Sequence, residues 1–214
     1  MSWKGATAVV AERDPALAAV IARAGPVRLR PGDPDGPFGA LVRAIAFQQL
    51  AGRAAATIHG RVRALVDGPL TPEAVLALPE EALRGAGLSA AKTASIRDLA
   101  ARTLSGEVRL SRTGRLSDDE IVARLAQVRG IGPWTAQMFL LFELRRLDVW
   151  PTGDLAVREG WRLAHGLDTP PTPSQLAALG EPLRPVRSVA AWYCWKAVHL
   201  AREVARNPVA TDLI

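Results

Sequence analysis

A chain of 214 residues, 49% apolar and 22% charged, has room for one large domain or two closely packed small ones, and apolar residues enough for a substantial core. Lys and Arg number 27 against 21 Asp and Glu, and the resulting net charge of +6 suits a polyanionic partner without specifying one. The single cysteine, Cys194, excludes an intramolecular disulfide and any cysteine-ligated zinc or iron–sulfur cluster within the chain.

Taken in chain order, helical spacing dominates and alternation with period two is scarce. Asp14-Pro15 opens a short helix over 14–24, with an N-cap followed by an N1 proline. The stretch from Pro26 to Pro37 is rich in proline and glycine and reads as an irregular connection. A long helix is expected from about Phe38 to Val66, since Leu41, Ile45, Leu50, Ala54, Ile58, Val62 and Leu65 recur at helical steps. Thr71-Pro72-Glu73 opens the next helix, Gly85-Ala86-Gly87 marks a turn, and Ser89 caps a helix running to about Leu104. Residues 106–114 are looser. Ser117 with Glu120 forms a capping box for a helix ending near Val128, and Pro133 begins one reaching about Arg145. Asp154 opens a helix ending near Gly166, Thr172-Pro173 starts a short one, and a final long helix occupies Pro185 to Arg206. The result is about nine or ten helices with no convincing sheet, so an all-α fold, and neither an internal repeat nor a low-complexity tail.

The most informative segment is Val128-Arg129-Gly130-Ile131-Gly132-Pro133-Trp134-Thr135-Ala136, which lies between two helices. Gly130 and Gly132 can take positive φ and leave no side chain over the turn, while Ile131 between them can pin it to the core. Backbone N–H groups of the turn and of the following helix can then converge on a phosphate oxygen, aided by the helix dipole, with the Thr135 hydroxyl beside them. Gly-x-Gly-Pro is also an ordinary helix–helix turn, and that reading stays open for the triplet alone. Arg129 and Lys92 are the basic side chains selected for phosphate contact; Arg53, Arg61 and Arg187 are weaker candidates. His59, His165 and His199 lack metal-ligand spacing, and Cys194 between Tyr193 and Trp195 reads as core filling. Asp154 reads as the N-cap of the helix beginning at Leu155.

Longer strings bring in a family. Ala46-Phe47-Gln48-Gln49-Leu50-Ala51-Gly52, the hairpin with Trp134, and Pro151-Thr152-Gly153-Asp154-Leu155 together resemble the helix-hairpin-helix DNA glycosylase superfamily, in its 3-methyladenine DNA glycosylase II (AlkA-like) branch. A weaker match is Pro185-Val186-Arg187-Ser188 leading to Trp195. The resemblance covers about residues 35–206 and implies two helical lobes with a DNA- and base-binding cleft between them, the hairpin lying at about 121–145. Residues 1–34 are then expected to pack on this helical core, in place of the β-rich N-terminal domain of larger members, and 207–214 to form a C-terminal tail.

The resemblance assigns the chemistry. Asp154, 22 residues beyond Gly132, falls where the family has its catalytic aspartate. Departure of a base leaves positive charge on the sugar, which a fixed carboxylate stabilises while directing water to the same carbon. A pocket for a cationic alkylated purine calls for electron-rich rings. Trp134 and Trp195 are the candidates, joined by Met138 one turn beyond Trp134 and by Leu155, which stands where some relatives have an aromatic residue. Trp3, Trp150, Trp161 and Trp192 read as core. Leu50 matches the wedge that fills the stack after a base is extruded, and Gln49 is placed near the orphaned partner base; ordinary core is the rival for Leu50. Where glycosylase-lyases of the superfamily carry a Schiff-base lysine this chain has Trp134, which implies a monofunctional enzyme.

The expectations are a monomeric hydrolase that excises alkylated bases from double-stranded DNA. It needs no cofactor and no catalytic metal, although a monovalent or divalent cation at the hairpin stays open. With no signal peptide or membrane-spanning run, a cytoplasmic location, the nucleoid in a bacterium, is expected. The rivals are a non-catalytic helix-hairpin-helix DNA-binding protein, a glycosylase-lyase for oxidised bases, and a helical protein–protein scaffold.

Overall fold

The structure, a computed structural model, describes residues 1–50, 52–110 and 113–206; Ala51 and the expected tail at 207–214 lie outside the described residues. Among the described residues all regular structure is helical. In chain order the helices are α1 (Trp3–Arg13), α2 (Pro15–Ala24), α3 (Gly36–Phe47), α4 (Gly52–Arg63), α5 (Pro72–Ala77) and α6 (Glu80–Gly85). They continue as α7 (Ala90–Leu104), α8 (Asp118–Leu125), α9 (Pro133–Phe142), α10 (Leu155–His165), α11 (Pro173–Leu179) and α12 (Arg187–Arg206). None of them is long and apolar enough to cross a membrane.

The caps are those the sequence offers. Asp14 Oδ1 accepts from Leu17 N at 2.9 Å to open α2, and Ser89 Oγ accepts from Lys92 N at 3.3 Å to open α7. Ser117 with Glu120 and Thr172 with Gln175 form full capping boxes at α8 and α11.

The helix pattern departs from the sequence expectation in three places. The helix α1 lies outside the elements that the sequence predicts. It is capped by Ser2, and only Ala6 and Val10, one turn apart, are buried along it, so its apolar pattern is too sparse to register. The helix after Thr71 divides at Leu78-Pro79, because the proline forces Leu78 into extended backbone (φ −74°, ψ 138°). The long helix expected over 38–66 divides at Gln48-Gln49, where Gln48 is extended (ψ 133°) and Gln49 takes φ +55°. The apolar period runs on through that break, so periodicity cannot reveal it.

The described residues divide into two compact units, 30–145 and 1–29 together with 146–206. In the first, α3 presents Leu41, Val42, Ile45 and Ala46 to the core, and α7 contributes Ile96, Leu99 and Ala100. Helices α8 and α9 enclose the hairpin, with Ile121, Leu125, Ile131, Ala136 and Leu140 buried. Asp35 holds the entry to α3: its carboxylate accepts from Leu70 N at 3.0 Å and pairs with Arg63 at 2.6 Å.

In the second unit α12 is the central element, with α10, α2 and α1 against it. Helices α10 and α12 cross with their backbones touching: a side-chain carbon at Gly160 would lie 1.9 Å from Cys194 O. Trp150 and Trp161 meet edge to face at 5.8 Å, and Trp150 Nε1 donates to Leu176 O at 2.8 Å. Trp150, Trp161 and Trp192 are buried, as core tryptophans should be; Trp3 is half-buried. Arg187 lies largely out of solvent and forms a fork on Asp148, with Nε to Oδ1 at 2.7 Å and Nη2 to Oδ2 at 3.0 Å. It is an internal ion pair, not a surface cation awaiting a phosphate.

Candidate functional site

The candidate site residues fall into two sets, one in each unit. Within residues 30–145 the hairpin links α8 to α9. Gly130 takes φ +75°, and a side-chain carbon there would meet Ser95 Oγ at 2.4 Å, so both the conformation and the space require glycine. Gly132 differs. Its backbone is extended (φ −92°, ψ 175°) and its missing side chain would point into open space, which corrects the expectation of positive φ at both glycines. Gly130 makes the turn; Gly132 keeps the front of α9 open.

Ile131, 3% exposed, anchors the turn to the core. On its other side, Arg129 N donates to Asp98 Oδ2 at 2.8 Å. Pro133 occupies N1 of α9, and Ala136 N donates to Gly132 O at 3.1 Å. A helix start whose N-cap is a glycine with open space at its Cβ position, at the positive end of the helix dipole, is suited to an anion. The side chain of Arg129 is exposed beside it, and Trp134 is 44% exposed on the first turn of α9, with Met138 half-buried one turn on.

Two residues read as phosphate contacts are placed differently. Thr135 is buried, and its Oγ1 accepts from Gln48 Nε2 at 3.0 Å. Lys92 Nζ donates to Ala46 O at 2.9 Å and Gln48 O at 2.7 Å, over the C-terminus of α3. Where the sequence reading set both against a phosphate, the structure turns both side chains inward, onto an amide and two carbonyls. Burial holds the Lys92 amine below its ordinary value.

The turn between α3 and α4 presents Gln49 and Leu50 to solvent, Leu50 at 41% exposure, so this leucine is no core residue. Gln48, one position earlier, reaches back: its Nε2 donates to Gly130 O at 3.0 Å as well as to Thr135. The sequence shows Gln48 only as part of the Ala46–Gly52 string, with no sign of where its side chain leads. It gave no signal for Ser95 and Asp98, the α7 residues that seat the hairpin.

The second set lies around the N-terminus of α10. Asp154 is the N-cap residue and is 8% exposed. Its Oδ1 accepts from Ala156 N at 2.8 Å and Val157 N at 2.9 Å, and from Trp195 Nε1 of α12 at 3.2 Å. The capping bonds leave room for an electrostatic role: two backbone amides and one indole anchor one oxygen of a carboxylate that is largely closed to water. Leu155 beside it is 72% exposed, and Trp195 is half-buried. Asp154, Leu155 and Trp195 thus come together, as do Gln48, the hairpin and Lys92 in the other unit.

Comparison with known proteins matches residues 42–185 to the family described as HhH-GPD superfamily base excision DNA repair protein, a span that includes the 48–50 turn, the hairpin and Asp154. DNA-3-methyladenine glycosylase 1 of Schizosaccharomyces pombe is 39% identical over 168 residues, covering 77% of this chain and 74% of that protein. The alkylbase DNA glycosidase-like protein mag2 of the same organism is 27% identical over 205 residues, 94% of this chain and 96% of that one. Among solved structures, the S. pombe 3-methyladenine DNA glycosylase in complex with abasic DNA matches with a TM-score of 0.85 at 35% identity, over 92% of this chain and 98% of that one. A DNA-3-methyladenine glycosidase from Bacillus halodurans matches with a TM-score of 0.80 at 37% identity, over 91% and 89%.

Proposed function

This chain belongs to the HhH-GPD superfamily of base excision DNA repair proteins, and on that premise we propose that it is a monofunctional DNA glycosylase that extrudes alkylated bases, 3-methyladenine and related purines, from double-stranded DNA and hydrolyses them off, leaving an abasic site. The observation that carries the reading is the carboxylate of Asp154, held on one oxygen by two amides and an indole at the start of α10. As the glycosidic bond breaks, positive charge develops on the sugar. A carboxylate already fixed in place stabilises that charge without reorganising, and it orients the water that attacks the same carbon. The electrostatic demand is that of glycoside hydrolysis generally.

The other residues divide the remaining work. The open N-terminus of α9 at Gly132, with Arg129, holds a backbone phosphate. Leu50 enters the stack where the base has left, with Gln49 toward the partner base. Around Asp154, the ring of Trp195, with Leu155 beside it, receives the base, whose positive charge favours an aromatic face; Trp134 and Met138 offer a separate apolar surface at the start of α9. The position of the lyase lysine holds Trp134, so no Schiff base forms, and borohydride should trap no protein–DNA adduct. The enzyme is proposed to act as a monomer.

The test is Asp154→Asn on methylated duplex DNA, with free bases identified by mass spectrometry. Asparagine keeps one capping oxygen and loses the charge. Single-turnover release of 3-methyladenine should fall by about 100-fold or more, while affinity for abasic-analogue DNA is retained. Release at the wild-type rate would remove Asp154 from the chemistry and leave a DNA-binding hairpin protein as the better reading.

A further inference from the structure

Helix α7 carries Lys92, Ser95 and Asp98 at steps of three residues, hence on one face. Each of the three holds a different part of the hairpin or of the turn that follows α3. Asp98 Oδ2 accepts from Arg129 N at 2.8 Å, and Ser95 Oγ lies beneath Gly130 so closely that no side chain fits there. Lys92 Nζ donates to Ala46 O and Gln48 O, the carbonyls at the end of α3 where the chain turns toward Gln49 and Leu50. Gln48 closes the circuit by donating to Gly130 O and Thr135 Oγ1.

We propose that Lys92 is a positioning residue for base extrusion: its ammonium clamps the end of α3, so that the turn presenting Gln49 and Leu50 is held in fixed register with the hairpin. The inference rests on the reading of Leu50 as the wedge. The carbonyls at a helix C-terminus lack intrahelical donors and carry the negative end of the dipole, so a cation there is doubly matched. Gln49, a non-glycine residue at φ +55°, needs such an external hold. With the clamp in place, gripping a phosphate at Gly132 brings Leu50 to the duplex already ordered. Without it the turn has to be ordered at the moment of insertion, and that entropy opposes extrusion.

A direct phosphate contact by Lys92 makes a different prediction, and the experiment separates the two. Lys92→Met, Leu50→Ala and the double variant are compared with wild type in three measurements. These are the fluorescence of 2-aminopurine placed next to a tetrahydrofuran abasic analogue, the salt dependence of duplex binding, and single-turnover excision from methylated duplex. Lys92→Met should lower the 2-aminopurine signal and slow excision by about tenfold, with an unchanged salt slope, and should add less than about twofold to the Leu50→Ala defect. Lys92→Arg should restore most of the loss. Gln48→Leu cuts the second tie, is expected to give the same profile, and keeps the test decidable if Lys92→Met does not fold. A salt slope reduced by about 0.9 with a normal fluorescence signal would make Lys92 a phosphate ligand and overturn the proposal. So would a full multiplicative loss in the Leu50→Ala background. If Leu50→Ala itself behaves as wild type, the wedge reading fails; if Leu50→Ala is impaired and Lys92→Met is not, the positioning role alone fails.

Discussion

Trp195 Nε1 donates to Asp154 Oδ1 at 3.2 Å across 41 residues of sequence, joining the last long helix to the cap of α10. Under the proposed function the indole would have two separable roles, an N–H that orients the carboxylate and a ring face for a base. Trp195→Phe removes the first and keeps most of the second. A hydrogen bond to a charged acceptor is worth roughly 1.5–3 kcal/mol, and the two backbone amides remain. Single-turnover excision should slow by about tenfold or somewhat more, with little change in affinity for abasic-analogue DNA. Equal loss in both would assign Trp195 to binding alone.

Gly160 is a packing requirement of the α10–α12 crossing that supports this pair. A methyl group at 160 would lie 1.9 Å from Cys194 O and 2.7 Å from its Cα, all backbone atoms that cannot rotate away. Gly160→Ala should force the two helices apart at a cost of about 3 kcal/mol, lowering Tm by roughly 10 °C. Because Asp154 and Trp195 lie on these two helices, their 3.2 Å bond should lengthen, and excision should fall even at temperatures where the variant is folded. A thermal melt beside a low-temperature activity assay checks both. Full stability would show that the crossing relaxes.

The sequence made the hairpin and the Asp154 cap legible because both are written in consecutive residues: glycine, proline and capping side chains state their backbone demands locally. What it could not state was direction. Lys92 and Thr135 have the chemistry of phosphate ligands, yet one turns onto the carbonyls ending α3 and the other onto Gln48, partners 44 and 87 residues away. The break at Gln48-Gln49 was hidden for the same reason, since the long-range bonds from Lys92 and to Gly130 hold it open while the apolar period continues. The inclusion of α1 and α2 in the same unit as α10 to α12 likewise rests on pairings far apart in sequence, such as Asp14 with His165.

That pairing gives a pH-dependent contribution to stability. His165 Nδ1 faces Trp161 O at 3.0 Å and Nε2 faces Asp14 Oδ2 at 3.0 Å. A carbonyl and an ionised carboxylate are acceptors only, so the protonated ring, with both nitrogens donating, satisfies both, and it stacks on Trp161 at 4.0 Å. Burial opposes the charge, but the Asp14 carboxylate and the Trp161 carbonyl outweigh it, so His165 lies above its ordinary 6.5. Asp14, likewise opposed by burial and held by His165 and the Leu17 amide, lies below its ordinary 3.8. The His165 contribution is thus complete below 6.5 and disappears as pH rises through its raised value. The Asp14 contribution is complete above 3.8 and disappears as pH falls through its lowered value. The Tm deficit of His165→Gln should be largest between pH 3.8 and 6.5, roughly 3 °C, and should shrink in alkaline solution. A deficit that grows above pH 8 would reverse the assignment.

The two hairpin glycines should respond oppositely to the same substitution. Alanine at 130 must adopt φ +75° and meets Ser95 Oγ at 2.4 Å, so Gly130→Ala should destabilise the fold by about 2 kcal/mol. Ser95→Ala in that background should recover the steric part and leave the conformational part. Alanine at 132 keeps an ordinary extended backbone and projects into open space, so Gly132→Ala should melt within about 1 °C of wild type. Its methyl group nevertheless stands where an anion would approach the first amides of α9. Binding to abasic-analogue duplex should weaken by about tenfold, with excision from saturated complexes nearly unchanged, since the loss is of phosphate docking and not of the chemistry. Unaltered DNA affinity in Gly132→Ala would mean that the phosphate sits elsewhere than at the start of α9, and the open glycine would then serve only the turn.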